Sequence, residues 1–106
     1  MDSKEERIKD QVKALAATFL QRESNHLSLI TVTDARMSKD GKMVNIFFTV
    51  LPQTKEKAAL DFIKRKRSEF REYVMENSRM QRVPFFDFGI DEGEKNRQKI
   101  DEISKD

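Results

Sequence analysis

The chain has 106 residues, and the feature that most restricts its possible folds is a short segment, residues 43–50, in which apolar positions alternate strictly. Apolar side chains occupy every second position on one side of the segment, at Val44, Ile46, Phe48 and Val50. A period of two is the spacing of a β-strand with one buried face. Asp40-Gly41 stands just before the segment and supplies the positive φ that a tight hairpin turn needs. Residues 29–37 and 43–50 are therefore predicted to form a β-hairpin.

The first strand of this hairpin is less regular than the second. Ile30 and Val32 share one parity, whereas Ala35 and Met37 share the other. One extra residue in an antiparallel strand shifts the parity back to the same face. The change of parity therefore predicts a β-bulge near Thr33-Asp34.

Helical periodicity flanks the hairpin on both sides. Residues 3–22 carry apolar side chains at three- and four-residue spacing, at Ile8, Val12, Leu15, Ala16 and Phe19. A second helix is predicted to begin at Thr54 and to break within residues 75–78, because Asn77 and Ser78 favour caps and turns. Residues 79–82 can add one further turn, which must end at Val83 because Pro84 follows.

Phe86, Phe88 and Ile90 alternate as a third short strand, and residues 91–106 are predicted to form a weakly docked helix or tail. The predicted order is helix, strand, strand, helix, break, short helix, strand. This order predicts an α+β fold of two layers, with a three-stranded sheet and both main helices on one face. The length is close to the commonest domain size, so one domain is expected across residues 1–106.

The residue types argue against catalysis. His26 is the only histidine and cysteine is absent, so a histidine relay, a thiolate nucleophile or a zinc cluster cannot be built. The three glycines form neither a phosphate-binding loop nor a dinucleotide fingerprint. We therefore expect a protein that is not an enzyme, with no catalytic residue, no metal, no cofactor and no small-molecule substrate.

The chain also lacks the features of a membrane or exported protein. No apolar run approaches the roughly 18 residues that a membrane span requires. The first residues, MDSKEERIKDQV, are charged with mixed sign, unlike a secretory leader or a transit peptide. A cytoplasmic protein without a membrane partner is expected, and we expect it to be a monomer.

Positive charge is concentrated in residues 62–82, which hold seven basic and three acidic residues, whereas residues 87–106 hold four basic and seven acidic ones. On a helical wheel Lys64, Arg67 and Arg71 form a narrow stripe beside the apolar one. Arg79 and Arg82 follow the predicted break. Guanidinium groups and the free N–H groups at the start of a helix both bind phosphate oxygens. This pattern favours a nucleic-acid backbone as the partner, and a solvated helix face paired with neighbouring glutamates is the alternative.

Three apolar residues of the second and third predicted strands lie on the face opposite the core. Phe85 is interpreted either as a platform for base stacking or as packing under the acidic tail, and the second is favoured. Met43 and Phe47 offer either a partner surface or a cover for Ile100 and Ile103.

From about residue 5 to residue 103 the sequence resembles the ribosome-binding factor A family of bacteria and organelles. The most specific piece is residues 79–88, RMQRVPFFDF, which is similar to the family's basic and apolar stretch followed by Val-Pro and a strand ending in Phe. Residues 37–41, MSKDG, and 44–49, VNIFFT, look like its hairpin, whose turn commonly reads Ser-x-Asp.

The resemblance implies a type II KH-like fold and an assembly factor that binds the small (30S) ribosomal subunit and its 16S rRNA. It further implies a role in late rRNA processing and prominence in cold adaptation. The family has a helix-kink-helix in place of the GxxG loop, and by position the kink falls at Asn77-Ser78. The predicted RNA-binding residues are Lys64, Arg67, Arg71, Asn77, Ser78, Arg79 and Arg82. The alternatives are a protein-interaction module and a general KH-like RNA binder without ribosome specificity.

Overall fold

The computed structural model describes residues 3–24 and 27–104, with side chains for residues 4–24 and 27–98. Its elements in chain order are α1 (Ser3–Glu23), β1 (Leu29–Met37), β2 (Met43–Leu51), α2 (Glu56–Lys64), α3 (Arg67–Asn77), β3 (Phe85–Ile90) and α4 (Glu92–Ser104), with a 3-10 turn at Gln53–Lys55. The predicted α+β fold and its element order are confirmed. His26 lies outside the described residues.

The three strands form one mixed sheet in the order β1-β2-β3. β1 and β2 pair antiparallel, and β2 and β3 pair parallel. The hairpin turn is as predicted, because Gly41 has a φ of 73° and the Ser38 N–H donates to the Met43 carbonyl at 2.9 Å. The β1–β2 register shifts between Val32 and Asp34, so the predicted bulge is also confirmed.

The core lies between the sheet and the helices α1, α2 and α3. The inward face of β2 is buried over its whole length, as its alternation predicts. The Phe70 ring, on α3, lies at the centre and is fully buried. Its centroid is 5.3 Å from that of Phe19, 4.8 Å from that of Phe86 and 5.6 Å from that of Phe88. Phenylalanine rings from a helix and a strand therefore join the two layers.

The second helix was predicted to begin at Thr54 and to break within residues 75–78, and both positions are wrong. Thr54 belongs to the 3-10 turn, and α2 begins at Glu56 without a side-chain cap. α2 ends at Lys64, and α3 runs without interruption to Asn77. The break between the two helices is therefore at Arg65-Lys66, twelve residues before the predicted kink at Asn77-Ser78.

The position of Lys66 gives the physical reason for this correction. A continuous helix would direct the Lys66 side chain into the apolar stripe, where an ammonium group is unfavourable. The break instead leaves its backbone at φ −98° and ψ 8°. Its ammonium group then lies 3.6 Å from the Glu23 carboxylate and 3.5 Å from that of Glu69.

Asn77 and Ser78 end α3, as their preference for caps predicts, but no helical turn follows them. The Asn77 side chain donates to the Tyr73 carbonyl and the Ser78 hydroxyl to the Val74 carbonyl, each at 2.8 Å. Ser78 itself is extended. Residues 79–84 have neither helix nor strand structure, so the predicted short helix at residues 79–82 is wrong.

The chain leaves β3 at Asp91 and enters α4. The Asp91 N–H donates to the Phe48 carbonyl at 2.8 Å, and its carboxylate accepts from the Glu94 N–H at 3.0 Å. One turn later the Lys95 ammonium group lies 3.0 Å from the Glu56 carboxylate of α2. These contacts attach the first turn of α4 to the domain. The side chains of Ile100 and Ile103 lie outside the described residues.

Candidate nucleic-acid interface

The outer edge of the sheet carries a small group of charges around Asp87. β3 is an edge strand, and the Asp87 carboxylate accepts the N–H of the next residue, Phe88, at 2.8 Å. Two cations approach the same oxygen, Arg67 Nη1 at 3.2 Å and Lys64 Nζ at 3.8 Å. All three side chains are between 33% and 49% exposed, and ion pairs of this kind contribute little stability. Two cations around one carboxylate leave an excess of positive charge that is open to a phosphate group.

Arg71, one turn after Arg67 on α3, has a different environment. Its Nε donates to the Pro84 carbonyl at 3.1 Å and its Nη2 to the Val83 carbonyl at 2.8 Å. The guanidinium carbon lies 4.5 Å from the centroid of the Phe85 ring. Backbone carbonyls have no net charge, so Arg71 keeps its positive charge while it attaches α3 to the segment that enters β3.

Arg79 and Arg82 lie in the irregular segment between α3 and β3. Both are exposed, and neither makes an ion pair with the residues that the structure describes. Arg82 lines a separate groove with the start of α1 and the hairpin turn at residues 38–41. The structure therefore divides the predicted basic cluster into a group on α2 and α3 and a second group on this segment.

A groove of about 530 Å³ adjoins the first group. Arg67 and Arg71 line it together with Met43, Ser68, Glu72, Met75, Phe85 and Phe86. The Phe85 ring is 60% exposed in this groove. The favoured interpretation, in which Phe85 packs under the acidic tail, is therefore wrong, because α4 begins at the other end of β3. Met43 is also exposed here, and Phe47 is half-buried with its ring 5.2 Å from the Arg36 guanidinium carbon.

A helix start does lie in this region, but it is at Arg67 and not at the predicted residues 79–82. The first backbone bond of α3 runs from the Phe70 N–H to the Lys66 carbonyl at 2.9 Å. The N–H groups of Arg67 and Ser68 precede that bond in the first turn of the helix. The second helix start therefore carries Arg67 on its first turn instead of Arg79.

Arg65 is a cation that was not among the predicted site residues, and it lines a different groove, together with Lys55 and Phe62. It is exposed at the break itself, beside Lys66. A signal was present in the run Lys64 to Arg67, because it is the only place where a cation interrupts the apolar stripe. Asn77 and Ser78 are engaged at the end of α3, and their predicted contact with RNA stays a prediction.

None of the helices that the structure describes is both long enough and apolar enough to cross a membrane. The same part of the chain brings no three histidine, aspartate or glutamate side chains together in a way that suits a metal ion.

Known proteins resemble the chain over nearly its whole length. The family model described as ribosome-binding factor A matches residues 4–104. A relative, the ribosome-binding factor A of Thermobifida fusca (strain YX), is 28% identical over 100 residues, which cover 92% of this chain and 66% of that protein. The chain thus spans slightly less than two thirds of that relative's length.

Solved structures agree with this match. The crystal structure of ribosome-binding factor A from Thermus thermophilus superposes with a TM-score of 0.70 at 25% identity, covering 79% of this chain and 91% of the other. A homology model of the Thermus thermophilus factor, fitted into the cryo-EM map of a 30S complex, superposes with a TM-score of 0.66 at 28% identity. It covers 76% of this chain and 88% of that one.

Proposed function

The chain belongs to the ribosome-binding factor A family, and we propose that it is an assembly factor that binds the small ribosomal subunit through the subunit's rRNA. The family match across residues 4–104 is the observation that carries this proposal. The fitted 30S complex of the Thermus thermophilus factor supports the choice of partner. Assembly factors of this family are not enzymes, so the effect on the subunit comes from binding.

The phosphate contacts in this proposal come from Lys64, Arg67, Arg79 and Arg82. Each of these side chains is exposed. Lys64 and Arg67 share weak ion pairs with Asp87, and the Arg67 Nε also donates to the exposed Lys64 carbonyl at 2.9 Å. Arg71 adds a fixed positive charge between the two groups. A-form RNA is recognised mainly by its shape and its phosphates, which suits a surface rich in cations and poor in aromatic rings. We also assign to the protein the late rRNA processing and the cytoplasmic location that the family resemblance implies.

Co-sedimentation with purified small subunits tests this function. Reversing the charge of two exposed cations, Arg67→Glu with Arg79→Glu, should reduce the bound fraction at least tenfold, because each change replaces a phosphate contact with a repulsive charge. Arg71 is kept in this variant, since its substitution would also remove two hydrogen bonds that hold the fold.

Lys57→Glu is the matched control for this experiment, because its side chain is 89% exposed on α2 and lies outside the proposed surface. It should co-sediment like the parent protein. Unchanged binding of the double variant would refute the assigned surface. Failure of the parent protein to bind small subunits would refute the function itself.

A further inference from the structure

Phe85 is the most exposed aromatic side chain among the described residues, and it is not isolated. Two further exposed apolar side chains, Met43 at 36% and Met75 at 46%, line the same groove. Single exposed apolar residues are ordinary on protein surfaces, whereas a group of them in a concave site indicates a ligand or a partner. The groove therefore suits a ligand with an apolar face.

The Phe85 ring is held in place before any ligand arrives. The backbone N–H of Phe85 donates to the Lys42 carbonyl at 2.9 Å, and this bond aligns the start of β3 with that of β2. The Arg71 guanidinium, 4.5 Å from the ring centroid, is itself fixed by the carbonyls of Val83 and Pro84. Pro84 is buried, so this anchor belongs to the core. An exposed ring with a fixed position loses little entropy when a second flat group stacks on it.

The charges around the ring select the occupant. Arg67 and Arg71, both on α3, line the groove together with Ser68. A ring that stacks a base, with cations beside it for the phosphate, is the arrangement by which proteins bind unpaired nucleotides. An apolar protein segment would leave the Arg71 guanidinium without a counter-charge, because this group contacts only uncharged carbonyls and the Phe85 ring.

We propose that this groove binds one unpaired RNA base, stacked on the Phe85 ring, with the adjoining phosphate on Arg67. The proposal rests on the proposed function, and it adds a base contact to a surface that otherwise contacts phosphates. Glu72 is the acidic group of the groove. Its carboxylate repels the phosphate towards Arg67 and can accept a hydrogen bond from the amino group of a base.

Three RNA hairpins of the same sequence test the base site directly. The first is fully paired, the second has one unpaired adenosine in its stem, and the third has an abasic residue at that position. The protein should bind the second hairpin about 10- to 100-fold more tightly than the third, since base stacking on an aromatic side chain has an effect of that order. Phe85→Ala should remove this difference and leave the affinity for the paired hairpin unchanged.

Two more variants make the result specific to the ring. Leu51→Ala removes another exposed apolar side chain, 47% exposed at the opposite end of β2, and should preserve the preference for the unpaired adenosine. Phe85→Trp should also preserve it. Because the chain has no tryptophan, the new indole is a single fluorescence reporter, and the unpaired adenosine should quench it while the abasic hairpin should not.

The outcomes separate the base site from the proposed function. Equal affinity of the parent protein for the adenosine and abasic hairpins would overturn the base site, even if co-sedimentation with small subunits persists. A preference for adenosine that survives Phe85→Ala would overturn it as well. If the parent protein binds neither small subunits nor any hairpin, the proposed function fails and the base site fails with it.

Discussion

Arg67 and Arg71 show how two like residues on one helix come to have different roles. The Arg67 guanidinium contacts a carboxylate that a phosphate can replace and donates to the exposed Lys64 carbonyl of the preceding turn. The Arg71 guanidinium instead donates to two partly buried carbonyls that are distant in sequence. A hydrogen bond from a charged donor to a partly buried acceptor is stronger than an exposed ion pair. At the residue scale, Arg71 therefore mainly stabilises the fold, whereas Arg67 is available for binding at the surface.

Replacing Arg71 should lower stability, and replacing Arg67 should not. Arg71→Met removes both carbonyl contacts and should reduce the free energy of unfolding by about 2 kcal/mol. Arg67→Met should change it by less than about 0.5 kcal/mol. Urea denaturation followed by circular dichroism measures both. Equal stability of the two variants would contradict the division of roles.

Gly41 is the residue whose backbone conformation a side chain would strain. Its φ of 73° belongs to the left-handed region, so Gly41→Ala should lower the free energy of unfolding by about 1 kcal/mol. Gly93→Ala is the matched control, because Gly93 lies in α4, where alanine is the better residue and should be neutral or slightly stabilising. Thermal denaturation compares the two. A stabilising Gly41→Ala would show that the turn has another conformation.

At the scale of elements, the bulge in β1 connects the sheet to α4. The extra residue, Thr33, is free to direct its hydroxyl group to the Asp91 carboxylate, 2.5 Å away. Asp91 is also the cap of α4, because it accepts the Glu94 N–H. The Thr33 hydroxyl and, after it, the Glu94 N–H lower the pKa of Asp91 below its usual value. A local irregularity of one strand thus stabilises the start of a helix that is distant in sequence.

This contact predicts a pH dependence. Because the folded-state pKa of Asp91 is below the unfolded one, its carboxylate stabilises the fold above the unfolded pKa, and the effect is lost as the pH falls through the folded pKa. Asp91→Ala should lose about 1 kcal/mol of unfolding free energy at neutral pH, as for other helix caps. The difference from the parent protein should disappear in acid.

Thr33→Val is the companion variant, since it removes the largest cause of the lowered pKa. In urea denaturation between about pH 2 and pH 7, the free energy of unfolding of this variant should decrease less towards acid pH than that of the parent protein. Identical pH profiles of the two proteins would show that the Thr33 contact does not form in solution.

At the scale of the whole molecule, the charge is polarised although the net charge is only +2. The basic groups lie on α2, α3 and the segment before β3, and the acidic excess lies in the last twenty residues. A protein that binds RNA phosphates releases the counterions condensed on them, so its affinity falls steeply with salt. A protein interface built from the apolar outer sheet face would respond much less.

The salt dependence of binding to small subunits should report four phosphate contacts. If Lys64, Arg67, Arg79 and Arg82 each bind one phosphate, a plot of the logarithm of the binding constant against the logarithm of the salt concentration should have a slope of about −3 to −4. Arg67→Gln should reduce its magnitude by about 1, and Lys57→Gln should leave it unchanged. Filter binding between 50 and 200 mM salt, a range of about fourfold, measures the slope. A flat response would favour the protein-interaction alternative.

The features that depend on neighbours in the chain could be predicted from the sequence. The alternation in β2, the Asp-Gly turn, the bulge in β1 and the apolar face of α1 follow from periodicity and turn chemistry, which are local. The resemblance of residues 79–88 was sufficient to identify the family. The break between α2 and α3 was not predicted, because Asn77 and Ser78 are stronger local signals than a lysine in an apolar stripe.

Only the tertiary structure decided which cations are available. Arg71 and Arg67 have the same side chain on the same helix face, and their difference comes from Val83, Pro84 and Asp87, which are distant in sequence. The same holds for Phe85, whose exposure depends on where α4 begins. Sequence periodicity determines which face of an element is buried, but the contacts of a surface side chain depend on how separate elements meet in space.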